Sequence, residues 1–168
     1  SRTLLEAIEA RQDLPLSSTR VVLISSFGVY GVAALKRGAR VDETTPLEPH
    51  PELRDIYSFS KLRQEQLFWE FQKKDGFQLV VLRPGVIYGP GGGAFSNRVG
   101  LQVGPLFFHL GGNNLLPLSY VVNCAKAIAI AAGHPDAAGH VYNVHDDDLP
   151  TAARYLRQYK QQVKRIRS

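Results

Sequence analysis

Val21-Val22-Leu23-Ile24-Ser25-Ser26-Phe27-Gly28-Val29-Tyr30-Gly31 opens as four apolar residues, three of them β-branched, and breaks off in two serines and a glycine turn. A continuous apolar run of this length suits a strand buried on both faces, as in a parallel sheet. In open α/β sheets, ligands bind just beyond the carboxyl ends of the strands. Ser25 and Ser26 fall at such an end. A serine turn that merely closes the strand describes the same residues.

The segments around this run have the same character. The spacing predicts a helix over 56–74, with Leu62, Leu67, Phe68 and Phe71 on its apolar face and Arg63, Glu65, Glu70 and Lys73 outside. Gly76 is its expected stop. Gln78-Leu79-Val80-Val81-Leu82-Arg83 is a second run of buried type. Strand, helix and strand make a βαβ unit, for which a right-handed crossover is expected. Upstream, Leu4, Leu5 and Ile8 give helical spacing over 1–12, with Glu6, Glu9 and Arg11 facing out, and residues 13–20 connect. Residues 32–55 are polar and carry Pro46, Pro49 and Pro51, so little regular structure is expected there. A loop this long is usually functional or disordered.

The helix over 56–74 begins with Tyr57-Ser58-Phe59-Ser60-Lys61. Four positions apart, a phenol and an ammonium share one face, about one turn apart. A free tyrosine has a pKa of about 10 and is a poor base at neutral pH. Making its phenolate available there requires about 4 kcal/mol. One ammonium about 4 Å away, at an effective dielectric of about 20, supplies roughly that. Tyr57 and Lys61 are thus a workable acid/base pair. The spacing equally describes an amphipathic helix whose lysine stem lies over apolar surface, and taken alone it leaves both readings open.

After the second strand comes Pro84-Gly85-Val86-Ile87-Tyr88-Gly89-Pro90-Gly91-Gly92-Gly93. Its glycines permit close backbone approach to a ligand. They form no Gly-x-Gly-x-x-Gly fingerprint, and no helical pattern begins where a phosphate would need one, so a flexible loop is expected. Residues 94–118 are poorly patterned and suit a small substrate-side region, with a turn at Gly111-Gly112-Asn113-Asn114. A helix is expected over 119–132 with Val122, Ala125, Ile128 and Ala129 inward, then a short strand over 140–144. Asp146-Asp147-Asp148 and Pro150 open a last helix, whose apolar stripe is Leu156, Tyr159, Val163 and Ile166.

Composition sets outer bounds. A chain of 168 residues is one ordinary domain, and 44% hydrophobic with 21% charged residues is globular. No apolar run approaches about 18 residues, so no membrane span is expected, and residues 1–10 lack a signal-peptide pattern. The single cysteine, Cys124, excludes an internal disulfide and fits a reducing compartment such as the cytoplasm. In an apolar helix it reads as a buried small residue rather than a nucleophile. The five histidines are scattered and none is spaced as a metal pair, so no metal site is expected. The net charge of +5 comes from Arg154, Arg157, Lys160, Lys164, Arg165 and Arg167. Without them the body has 14 basic and 15 acidic residues, which suits a solvated helix face better than a nucleic-acid surface. The chain contains no methionine; removal of an initiator or a longer parent protein each accounts for that.

Five motifs stand in order: Ser25-Ser26-Phe27-Gly28-Val29-Tyr30-Gly31; Tyr57-Ser58-Phe59-Ser60-Lys61; Leu82-Arg83-Pro84-Gly85-Val86-Ile87-Tyr88-Gly89-Pro90-Gly91; Tyr120-Val121-Val122-Asn123-Cys124-Ala125-Lys126-Ala127-Ile128; and Val141-Tyr142-Asn143-Val144. Together they resemble the extended short-chain dehydrogenases/reductases, the NAD-dependent epimerase/dehydratase family of nucleotide-sugar enzymes. The resemblance implies an α/β fold: a partial Rossmann-like, doubly wound parallel sheet with a small substrate-side region. Residues 1–87 would be the C-terminal half of the dinucleotide-binding domain and 88–139 mainly the substrate side. The final strand and connector would occupy 140–153, and a basic helix 154–168.

By the same resemblance Tyr57 is the proton-transfer tyrosine, and Lys61 holds the nicotinamide ribose and lowers the tyrosine pKa. Ser26 hydrogen-bonds the reacting oxygen. Ser25, Tyr57, Lys61, Pro84, Gly85 and Val86 are implied to border an NAD or NADP cofactor, and Ser26, Phe27, Tyr88, Asn97 and Tyr120 the substrate. The implied partner is a small molecule, a nucleotide sugar, with no nucleic acid or membrane; homodimerisation stays open. The family's glycine-rich first turn is absent from this sequence, so the first half of the cofactor domain is expected to lie outside it. Gly85 stands where many sugar epimerases carry asparagine, and Val122 where aspartate is frequent. The sugar, the choice of NAD or NADP, and epimerase against dehydratase or reductase stay open. A non-catalytic Rossmann-like binding protein, or an inactive fragment of such an enzyme, is the alternative.

Overall fold

The computed structural model describes residues 1–11, 15–36, 38–90, 99–103, 106–109 and 111–163. In chain order the elements are α1 (Arg2–Glu9), β1 (Arg20–Ile24), α2 (Ile56–Asp75), β2 (Gln78–Pro84), β3 (Val86–Tyr88), β4 (Gly100–Val103), β5 (Leu106–His109), β6 (Leu118–Tyr120), α3 (Val121–Gly133), β7 (Val141–Val144) and α4 (Ala152–Val163). The chain divides into two compact units, Ser1–Gly85 with Cys124–Val144, and Val86–Asn123 with His145–Ser168.

The first unit is built on a three-stranded sheet in the order β1-β2-β7 with both pairings parallel. The apolar run of β2 lies at its centre, which is why it is apolar at successive positions rather than alternate ones. Leu79 and Val81, with Leu23 of β1, pack towards Leu5 of α1, Phe68 of α2 and Phe77. Val80 and Leu82 pack in a second cluster with Ala131 of α3, Ala137 and Val144, joined by Val22, Ile24, Ala127 and Ile128. The sheet is therefore covered on both faces, as a doubly wound sheet requires. Each fully buried aliphatic side chain contributes about 1.5–3 kcal/mol, and Leu79, Val80 and Val81 are fully buried. Among the described residues, β1 is an edge strand paired to β2 alone.

Helix α2 starts and stops where its sequence dictates. Asp55 caps its N-terminus, accepting from the Ser58 N–H, and Gly76 ends it in the left-handed region at φ 74°. Leu62 and Phe68 are buried as expected, but Glu65, expected outside, is 2% exposed. The correction has a local cause: Arg83 lies buried opposite Glu65 and takes both its carboxylate oxygens.

Helix α3 begins two residues later than expected, because Leu118–Tyr120 pair as β6 with β3. Its inward face is accordingly rotated. Cys124 is buried, and Ala131 is buried in the sheet cluster with Ala127 and Ile128 packed against it; of the residues expected inward Ile128 is there, whereas Val122, Ala125 and Ala129 are exposed.

The second unit holds the parallel pair β3–β6 and the antiparallel pair β4–β5, the latter in register Gly100↔His109 to Val103↔Leu106. The region 94–118, expected to lack pattern, thus contains β4 and β5, and Val86–Tyr88, within the stretch expected to be a flexible loop, forms β3; these strands have only three or four residues, too short for a period to show in sequence. Its core gathers Val99, Leu116, Leu118, Ala152 and Leu156, with Val86 and Tyr155 packed against it. The expected stripe of the last helix is buried at Leu156; the side chains of Val163 and Ile166 lie outside the described residues. Arg154 of the basic helix is not solvated alone but forks onto Asp148 at 3.0 and 2.9 Å.

Candidate active site at the strand ends

In the first unit, the carboxyl ends of β1 and β2 and the first turns of α2 bring the candidate residues of that unit together. Ser25 ends β1 with its N–H on Leu82 O at 2.7 Å. Its hydroxyl is buried and has no hydrogen-bond partner among the described residues. Ser26 turns the chain: its Oγ accepts from the Gly28 N–H at 3.0 Å and opens a short 3-10 turn over Phe27–Val29. Because that N–H occupies a lone pair, the Ser26 O–H remains able to donate. Phe27 packs edge-on against Tyr30, with ring centroids 5.3 Å apart.

Gly28 is where this turn meets α2. A β-carbon there would lie 3.1 Å from Ser58 Oγ, 3.3 Å from Ser26 Oγ and 3.9 Å from Tyr57 Cε1. Glycine thus keeps clear a cradle bounded by Ser26 and Tyr57. Tyr57, the second residue of α2, is 57% exposed, so its phenol is accessible. One turn on, Lys61 reaches over to the sheet and its Nζ donates to Ile24 O at 2.8 Å. A longer contact joins it to Gln64 Oε1 at 3.5 Å. An ammonium has three donors, so these contacts leave it capacity for another acceptor. Pro84 is buried at the end of β2, and Gly85 follows half-buried with its N–H on Val144 O.

Beneath these residues lies a polar network that sequence reasoning missed. Arg83 donates to Glu65 through Nε at 3.0 Å and Nη2 at 2.7 Å, and through Nη1 to Tyr30 Oη at 3.0 Å. Tyr30 in turn donates to Asn143 Oδ1 at 2.7 Å, and the Asn143 N–H reaches Glu43 Oε1. Tyr30 is fully buried, and Arg83 and Glu65 almost so. Burial works against the charge on Arg83, but the Glu65 carboxylate outweighs it and raises the guanidinium pKa. Burial pushes the Tyr30 phenol up, against the opposing pull of Arg83. Arg54 clamps the serine turn from the other side, its Nη1 donating to Gly28 O and Tyr30 O at 2.9 and 2.8 Å. The one sequence signal was the stripe Tyr57, Lys61, Glu65, each four residues from the last.

The second unit holds another group of candidates. Tyr88 of β3 and Tyr120 of β6 are paired in register, their rings 5.4 Å apart. Asp146 accepts from Tyr88 Oη at 2.9 Å, from the Tyr120 N–H at 3.1 and 3.2 Å, and from Asn123 Nδ2 at 2.9 Å. Burial first, and then the hydrogen bond to Asp146, push the Tyr88 phenol up to about 12. Burial opposes ionisation of Asp146, yet Asn123, the Tyr120 N–H and Tyr88 together hold its carboxyl below the usual range. Asp146 came from a run read as a helix N-terminus; what it serves is the start of α3, whose own first turn has no acid. Val86 opens β3 and is half-buried. Asn97 lies outside the described residues. Among the described residues, no group of three potential metal ligands is present, and no helix is long and apolar enough to cross a membrane.

A UDP-glucose 4-epimerase of Vibrio cholerae is 28% identical to this chain over 152 residues, which cover 89% of this chain and 45% of that protein. A dTDP-glucose 4,6-dehydratase of Bacillus anthracis, solved in complex with NAD, has a similar fold at TM-score 0.70 and 22% identity. That similarity covers 98% of this chain and 51% of the other. A UDP-glucuronic acid 4-epimerase of Bacillus cereus, solved with UDP-glucuronic acid and NAD, superposes at TM-score 0.68 and 21% identity, covering 95% of this chain and 49% of that one. The chain spans about half the length of the relatives it matches. Residues 1–144, which hold the serine turn, the Tyr57–Lys61 helix and the strands beneath them, match the family model described as the NAD dependent epimerase/dehydratase family, and the chain belongs to that family.

Proposed function

We propose that this chain carries the proton-transfer residues of an NAD(P)-dependent epimerase, dehydratase or reductase that acts on a nucleotide sugar or a related hydroxyl or carbonyl compound. Tyr57 is the acid/base, Lys61 the positive charge beside it, and Ser26 the donor to the reacting oxygen. The observation that carries this reading is the convergence on Gly28, where Ser26 Oγ and the Tyr57 ring border one cradle while Lys61 is anchored on Ile24 O. The names of the similar proteins, UDP-glucose, UDP-glucuronic acid and dTDP-glucose enzymes, support a nucleotide sugar as the substrate class.

The residues present fit the nicotinamide end of a dinucleotide. The Ser25 hydroxyl is buried without an acceptor or donor among the described residues, and Lys61, bonded to O of the preceding Ile24, retains donor capacity. Ser25, Tyr57, Lys61, Pro84 and Gly85 would hold that end, and Val86 is assigned with them by the motif it shares. No residues here form the Gly-x-Gly-x-x-Gly turn that cradles a pyrophosphate. When bound, the cofactor supplies a hydride acceptor or donor. The chain's own residues manage the proton. Tyr57 Oη takes it from a substrate hydroxyl in the oxidative direction and returns it in the reductive one. Ser26 Oγ–H steadies the charge that develops on the same oxygen. The Lys61 ammonium would stabilise the Tyr57 phenolate, which stands before proton uptake in the oxidative direction and after proton release in the reductive one.

The test is to supply NAD with UDP-glucose, UDP-glucuronic acid or dTDP-glucose and follow the sugar by NMR. Tyr57→Phe should lower kcat by about 10²–10⁴ and leave KM nearly unchanged; turnover equal to wild type would refute the assignment. Fluorescence titration with NADH and NADPH tests the cofactor half-site: tight binding of either by this chain would contradict the expectation that a glycine-rich turn absent from this sequence is needed to hold it.

A further inference from the structure

We infer that Glu65 and Arg83 are positioning residues for Tyr57 and Lys61: their buried ion pair fixes how far α2 lies along β1 and β2, and hence where the phenol and ammonium stand against the serine turn. The inference rests on reading Tyr57 and Lys61 as the reacting pair. Tyr57, Lys61 and Glu65 follow one another at four-residue intervals along one stripe of α2. Two of the three are fastened to the sheet: Lys61 to Ile24 O at the end of β1, and Glu65 by both oxygens to Arg83 at the end of β2.

A two-pronged guanidinium–carboxylate contact is directional, so it resists both sliding and rotation of the helix. The apolar contacts of Leu62 and Phe68 lack that directionality. The same guanidinium holds Tyr30 Oη, and Tyr30 holds Asn143 of β7, so one cation fixes α2, β2, the end of the serine turn and the neighbouring strand. A buried pair of this kind is a poor source of net stability, because apolar replacements of similar volume are often neutral or better. Alignment is therefore the role that accounts for it.

The experiment measures acetylation of individual lysines by mass spectrometry on the full 168-residue chain under native conditions, from pH 7 to about 9. Lys73, exposed on the same helix, is the internal reference. The variants are Glu65→Gln, Arg83→Lys and the apolar double variant Glu65→Leu/Arg83→Met. Phe77→Ala, in the core of the same unit, is the control for general loosening.

Loss of alignment frees Lys61 from Ile24 O, so its acetylation relative to Lys73 should rise about tenfold in each variant. In the double variant it should do so with the urea midpoint close to wild type. Lys61 labelling at the wild-type rate in the folded variants overturns the inference. So does a rise no larger than Phe77→Ala gives at an equal loss of midpoint, or unfolding of all three variants, since the pair would then be a stability element. Labelling reads geometry and not turnover. A negative result here leaves the role of Tyr57 standing, and an unaffected Tyr57→Phe enzyme leaves the labelling result standing.

Discussion

Replacing Asp55 by alanine should unfasten the turn that carries Tyr57. Asp55 Oδ1 accepts the Ser58 N–H at 2.7 Å and Oδ2 accepts the Ser58 hydroxyl at 2.8 Å. Losing an N-cap of this type costs about 1 kcal/mol. Ser58 is 3% exposed, so its hydroxyl is left without that acceptor in a buried place, which adds about 1 kcal/mol. The expected loss is about 2 kcal/mol, a noticeable share of an ordinary stability of about 5–15 kcal/mol. It should be local as well, because the other turns of the 20-residue α2 keep their contacts.

The pH dependence follows from the same geometry. The Ser58 N–H first, and then its hydroxyl, hold the Asp55 carboxyl below the usual carboxylate range. A group depressed on folding stabilises fully above its unfolded value, about 3.9 for Asp, and the contribution is lost as pH falls through the lower folded value. The gap between wild type and Asp55→Ala should thus be complete at neutral pH and close in acid. Urea unfolding at both conditions, with hydrogen exchange of the residue 57–59 amides, measures it. A gap below about 0.5 kcal/mol at neutral pH with Ser58 still protected, or one that persists unchanged in acid, would refute the reasoning.

Two further outcomes are expected in the second unit. Gly89 has φ 153°, and a β-carbon there would stand 2.5 Å from Val121 Cγ1, so Gly89→Ala should cost about 1–3 kcal/mol; a urea midpoint within error of wild type would contradict this. Tyr88→Phe removes the hydroxyl that donates to Asp146 and, at a partly exposed site, should cost about 1 kcal/mol. Because Tyr88 is pushed up to about 12, its contribution is complete below the unfolded value of about 10 and lost as pH rises through the folded one. The variant should therefore be less sensitive than wild type to alkali between those values, which unfolding midpoints across that range would check.

What could be read in the sequence is what repeats at short range. The β2 run announced a strand of buried type because four successive apolar side chains need cover on both faces, and clusters on the two faces provide it. Tyr57 and Lys61 could be paired because helix geometry alone sets their spacing. Glu65 obeys the same spacing, yet it was expected in solvent, since its partner Arg83 is 18 residues away across a helix and a turn. The bonds from Arg83 to Tyr30 and from Tyr30 to Asn143 span 53 and 113 residues, and no periodicity reports such a contact. The misjudged face of α3 has a different source. Val122, Ala125, Ile128 and Ala129 are apolar and suitably spaced, but so are Ala127, Ile128 and Ala131, and it is the second set that packs on the sheet. Where both sides of a helix are apolar, local pattern cannot choose between them.

The change of character along β2 links these two kinds of legibility to function. From Leu79 to Leu82 the side chains hold the strand to the layers above and below by packing, which is non-directional and accepts other side chains of similar volume. At Arg83 the apolar run stops, one residue before the strand ends, and packing gives way to a five-donor fork that needs its acceptors at set angles. Directional side-chain contacts are not needed in the middle of the sheet, where backbone pairing and burial already fix strand and layers. At its carboxyl end, Arg83 ties the strand to Glu65 of α2 and to Tyr30 at the end of the serine turn. The same division explains why Glu65 is tolerated at 2% exposure on a helix otherwise anchored by Leu62 and Phe68. Its desolvation is costly, and on the alignment role proposed above it is met one turn beyond Lys61, where the bond to Arg83 ties α2 to β2.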